Sequence, residues 1–288
     1  PDAEAGEDRR VRASLVRWLA LGAPGEPQIR LHERGLRIGG ALIVSDGAAD
    51  PALGDKSTPG LDLEGCRLEH DLALFDCRFR DAPVLRNVRL QSLFLDGSHL
   101  PGLIADRLEA RGGVFLRQVR AEGKVRLLGA RIGGDLSCIG GHFKNAHGIA
   151  LTADGLEARG VVLFQLVEAA GEVRLTGARV GGNLECDGGR FENADGVALI
   201  LDGARVAGVF FWREGSRVKG VLDLMAAEIG IINDEPACWP ARKGDLRLDR
   251  CVYGAFTGAG GSAAARMRWL KLQDYSGCMN PDFRPQPW

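Results

Sequence analysis

The segment Val125–Phe164 returns almost whole 48 residues later as Val173–Trp212, with 22 of 40 positions identical. Identity at a fixed period marks a repeat architecture, in which each unit buries its apolar side only by stacking on the next. A residue that recurs with the period is therefore explained by packing before it is explained by chemistry.

Inside the unit, apolar residues fall in pairs spaced by two, and the pairs follow one another about every five residues. They run Val125/Leu127, Ala130/Ile132, Leu136/Cys138 and Gly141/Phe143, then Ile149/Leu151, Asp154/Leu156, Val161/Leu163 and Leu166/Glu168. A spacing of two places both members on one face of an extended strand. Eight short faces per 48 residues predict two four-sided coils of about 24 residues, with loops such as 144–148 lengthening them. The same pairs appear at Leu61/Leu63, Cys66/Leu68, Leu72/Leu74 and Cys77/Phe79, a coil with almost no insertion. Parallel strands joined by crossovers are right-handed. The predicted fold is therefore all-β: a right-handed, quadrilateral β-helix whose nine or ten coils make a rod roughly 45 Å long.

Composition agrees with a narrow interior. Glycine is abundant at 41 of 288 residues and aromatics supply only 6%. Three parts follow. Residues 1–28 predict an amphipathic helix over 10–21, with Val11, Leu15, Trp18 and Leu19 as its apolar stripe. Residues 29–257 are the repeat body. Residues 258–288 predict a second helix at 262–273, with Ala263, Met267 and Leu270 on one face. A rod leaves unpaired backbone at both ends, and these helices are placed to cover them.

The pairs, together with GARIGG, GARVGG and LDLEGCRLEHDLALFDCRF, resemble the pentapeptide-repeat β-helix. Longer phrases are similar to a bacterial family labelled membrane-associated oxidoreductase or uncharacterised. These phrases are Arg17–Leu19, GLRIGGALI, RLLGARIGGDL, Arg266–Leu270 and Phe283–Trp288. That likeness implies a cytoplasmic rod tethered to the inner membrane through segments outside this chain.

The charge balance of 37 basic against 38 acidic residues gives no global field for nucleic acid or an anionic membrane. It also opposes a DNA-mimicking rod, which needs a strongly acidic surface. Seven cysteines without a CxxC pair suit a reducing compartment and buried thiols. Cys66, Cys77, Cys138 and Cys186 fall in apolar pairs or at equivalent repeat positions and are expected inside. Gly258–Ala263 fits the GxGxxA dinucleotide fingerprint but lacks a following βα unit, so no cofactor is expected. Asp135, Asn183, Asp154 and Asp202 recur and are expected to bind backbone at corners. His142 and His147 are replaced by Arg190 and Asp195 in the next unit, the mark of a solvated position.

Two groups stand as candidate interaction residues. Arg126 with Arg174, and Arg131 with Arg179, recur at the period and predict basic stripes. Trp212, and Cys238 with Trp239 in the loop 232–245, predict exposed groups on a binding face. The expectation is a non-catalytic scaffold that binds a protein partner, with a homodimer as a further possibility. The alternative is a nucleotide-dependent oxidoreductase or a glycan-active β-helix enzyme.

Overall fold

The computed structural model describes residues 9–26, 28–46, 60–258 and 262–273. The body is a right-handed parallel β-solenoid of about eight turns, with two short helices. Each turn has four short faces, and strands away from the ends of the stack pair in parallel with the equivalent strands of the turns above and below. Face 1 stacks Ile104, Arg126, Thr152, Arg174, Ile200 and Asp223 outward. Face 2 stacks Glu109, Arg131, Glu157, Arg179, Arg205 and Glu228. Face 3 carries Phe94, Phe115, Ser137, Leu163 and Glu185, and face 4 carries His99, Arg120, His142, Glu168 and Arg190.

Alternation along each strand sends the neighbours of these residues inward. The interior is one continuous column in which Leu103, Val125, Leu151, Val173, Leu199 and Leu222 lie in a single row, each almost wholly buried. Phe143 and Phe191 hold one position 48 residues apart, and Phe164 and Trp212 hold another, all buried.

The repeat pairs are found inward in the first coil of the unit, but the second coil is shifted from its expected frame. Its inward residues are Leu151/Ala153, Leu156/Ala158, Val162/Phe164 and Val167/Ala169. Ile149, Asp154, Val161 and Leu163 lie part-buried at the surface, and Leu166 sits on a corner with 63% of its surface exposed and φ of +55°. The cause is the insertion at 144–148. It does not leave the ladder as a free loop but bulges within the strand His142–Thr152, with register shifts between Lys144 and Leu151. Asn145 Nδ2 closes the bulge on the Ile149 carbonyl at 3.0 Å, and Asn193 repeats this on Val197 at 2.9 Å.

Both predicted helices are present, each turned from its expected face. Arg10–Arg12 is a strand that pairs with Leu42–Val44, and helix α1 spans only Ala13–Ala20. Its buried residues are Ala13, Val16 and Ala20, whereas Leu15 is 45% exposed. Arg17 Nη1 donates to the Asp62 carbonyl at 2.7 Å, which fixes α1 on the first coil. Helix α2, Ala263–Leu272, buries Trp269 and Leu272 and exposes Ala263 and Met267. A helix lying across a rod end meets the core with the residues that suit the end's shape, and period alone does not select them.

Candidate functional site

The solvent side of face 2 is a shallow, open groove running along the rod. Two continuous stretches, of about 600 Å³ and 850 Å³, meet at Glu157 and Arg159. Seven arginines and four glutamates line it, a net +3 on a chain of net −1. None of the lining residues is aromatic.

One column of the groove is a charge ladder. Arg89 Nε lies 2.9 Å from Glu109, and Arg131 lies between Glu109 at 3.6 Å and Glu157 at 3.9 Å. Arg179 lies 3.3 Å from Glu157, and Arg205 3.0 Å from Glu228. These pairs link residues 20 to 26 positions apart, because stacking brings the next coil's outward residue alongside. Their side chains are 40% exposed or more, so each pair contributes only about 0.2–1 kcal/mol. They order the groove wall more than they stabilise the fold.

The second column, two residues further along each strand, runs Arg111, Gly133, Arg159 and Gly181. Its arginines are exposed and pair with no acid among the described residues, since the four glutamates are taken by the ladder and by Arg67. The glycines are demanded by the backbone. A Cβ at Gly133 would collide with the Arg111 carbonyl oxygen, and one at Gly181 with that of Arg159. Each arginine therefore has a bare glycine as its neighbour on the following coil.

Arg131 and Arg179, both predicted, belong to this groove. Arg126 and Arg174 do not form the expected basic stripe. They lie on face 1, where Arg126 is bound to the nearly buried Asp106 at 2.6 Å, and Arg174 to Asp154 at 3.0 Å and Glu172 at 3.4 Å. Acids of the same or the preceding coil neutralise them.

The exposure expected of the loop aromatics is overturned. Trp212 is wholly buried, Trp239 is 7% exposed and Cys238 is 4% exposed. Trp212 Nε1 donates to the Cys238 carbonyl at 3.0 Å, and Trp239 packs at 4.1 Å between ring centroids on Trp269 of α2. The loop folds over the end of the rod because its large rings bury more area there than anywhere on a flat face. Burial also pushes the Cys238 thiol up.

Cys138 and Cys186 are fully buried, and desolvation pushes both thiols well above the usual range. Cys77 is buried as expected, while Cys66 is only part-buried, with Arg17 Nη1 at 3.2 Å from its sulfur. The corner reading of the acids holds at three positions. Asp135, Asn183 and Asp154 accept from the Val161, Val209 and Thr176 amides at 2.9–3.0 Å. His142 is half exposed and lies 3.1 Å from Glu168. Residues 259–261 of the GxGxxA sequence lie outside the described residues. Among the described residues, no three His, Cys, Asp or Glu gather closely enough to hold a metal ion, and no helix is long and apolar enough to cross a membrane.

Two features escaped the sequence. Phe75, Phe94 and Phe115 stack outward on face 3, with centroids 5.9 Å and 4.7 Å apart, and Arg37 and Arg117 lie over them. The free arginines Arg111 and Arg159 were also missed, although Glu-Ala-Arg-Gly stands at 109–112 and again at 157–160. That repeated tetrapeptide was the available signal. Compared with known protein families, curated proteins and solved structures, the chain matches none.

Proposed function

We propose that this chain is a scaffold that works by binding, and that its long groove face receives a protein partner. The observation that carries the reading is the continuous groove on face 2, walled by ordered charge and floored by backbone. Polar groups on this rod are spread along its length at coil spacing. That arrangement suits recognition of an elongated surface better than the convergence of groups on one reacting atom. As such a scaffold it forms the rod of a bacterial membrane-associated protein, with segments other than α1 and α2 providing the tether.

The test places a photo-cross-linking amino acid at one outward position per face, namely Arg126, Arg131, Glu185 and His142, in cells of the source organism. The reading expects a discrete adduct from position 131, with one protein that is identified by mass spectrometry and cross-links reciprocally. Adducts from none of the four positions, or only from the other three, would overturn it.

A further inference from the structure

We infer that the groove on face 2 binds an extended acidic peptide segment, with carboxylates three residues apart seated on Arg111 and Arg159. The inference rests on the reading that this face receives a protein, and it names the chemistry of that protein.

Three observations converge. First, the groove has a surplus of three positive charges, and among the described residues two of its arginines have no acidic partner. A ligand bearing carboxylates supplies what the ladder leaves over. Second, Arg111 and Arg159 stand in one column two coils apart, with Gly133 between them. At about 4.8 Å per coil their separation along the rod is about 9.6 Å. A polyproline-II chain repeats a face every three residues, or about 9.3 Å. A strand repeats its face at about 6.6 Å. An α-helix returns to one at seven residues, about 10.5 Å, and is about 10 Å thick. The extended, three-residue repeat fits the column best. Third, the chemistry of the walls disfavours other polyanions. Four glutamates interrupt the arginines, which repels a uniformly charged phosphate chain, and there is no aromatic platform for bases to stack on. A peptide places neutral residues opposite those glutamates.

The groove is closed to strand addition. The backbone N–H groups along this face are already used between coils, as at Arg131 to the Leu108 carbonyl (2.8 Å) and Arg159 to Ile132 (2.9 Å). Recognition therefore runs through side chains and depends on salt.

The experiment measures fluorescence anisotropy of labelled peptides with the full 288-residue chain at about 20 mM and about 200 mM salt. Four repeats of Glu-Pro-Pro should bind at low salt and weaken at high salt. Four repeats of Lys-Pro-Pro should not bind. R111A/R159A, folded by circular dichroism, should weaken binding about tenfold, as expected for two exposed ion pairs. The proposal falls if Glu-Pro-Pro repeats do not bind. It also falls if the double variant binds them unchanged, or if an oligouronate, an oligothymidylate or a helical peptide with glutamates seven apart binds more tightly. Failure here with a reciprocal cross-link at position 131 would leave the scaffold standing and remove only the acidic segment. Peptide binding without any cross-link would do the reverse.

Discussion

Arg266 is the residue on which the C-terminal cap depends, and its removal makes the sharpest test of how this rod is closed. Its Nη1 and Nη2 each lie 2.7 Å from the Asp234 carboxylate, whose side chain is wholly buried. Trp239 Nε1 donates to the same carboxylate at 2.6 Å. The guanidinium lies 3.7 Å from the Phe256 ring centre and 4.4 Å from that of Trp269. Arg266→Ala leaves a buried carboxylate with one donor and unstacks two rings. Breaking a buried pair from one side costs about 3–5 kcal/mol. In a solenoid that cost falls on the nearest interface rather than on the whole rod. At about 1.4 kcal/mol per tenfold, the population with α2 undocked should rise at least about a hundredfold. Hydrogen exchange reads this directly at the Leu248 amide, which donates to Gln273 Oε1 at 3.0 Å, and at the Gly244 amide, bonded to the Leu272 carbonyl. Both should exchange about a hundredfold faster, while amides of the central coils stay as protected as before. The double variant D234N/R266M removes both charges and keeps an acceptor for Trp239, so it should recover most of the protection. Unchanged exchange in R266A, or equally fast exchange in the double variant, would refute the argument.

Other expectations follow from the same structure. Gly133→Ala drives a Cβ into the Arg111 carbonyl and should lower the urea midpoint by the equivalent of about 1–3 kcal/mol; an unchanged midpoint would show that the coils can spread. Leu166→Gly relieves a left-handed corner without removing a buried side chain, and should raise stability by about 0.5–1 kcal/mol in thermal melts, whereas a loss would mean that the contact of Leu166 with Gly188 outweighs the relief. The buried thiols make the rod sensitive to alkali. Cys138, Cys186 and Cys251, the last pushed up to about 12, stay protonated in the folded chain, while their counterparts in the unfolded chain ionise near 9.0. The unfolded state loses protons first as pH rises, so stability present below about pH 9 should decline above it. The slope is up to about 1.4 kcal/mol per pH unit for each thiol. Cys138→Ala should flatten that slope between about pH 9 and 11, and an identical slope would contradict the assignment.

The repeat, the four-sided coil and most inward rows were legible in the sequence because each depends on local alternation and on identity at a fixed period. Leu61/Leu63, Leu72/Leu74 and Leu136/Cys138 are inward for that reason alone. The failures have a common physical origin in contacts between residues far apart in the chain. A local pattern says that Arg126 and Arg131 both face outward. Only stacking shows that the first meets Asp106 and is neutralised, while the second shares its acids along an open groove. The frame of the second coil went wrong at Leu166 because the insertion at 144–148 is absorbed by a bulge whose register depends on its neighbours. Trp239 was legible as a large ring in an irregular loop, but its burial depends on α2 arriving from later in the chain. The amino-acid order thus determined that the chain winds, what its period is and which residues line its column wherever a coil carries no insertion, since those follow from alternation within a strand. Which charges remain unpaired, which helix faces cover the ends and where a groove opens were decided by the tertiary structure, because those follow from the meeting of successive coils.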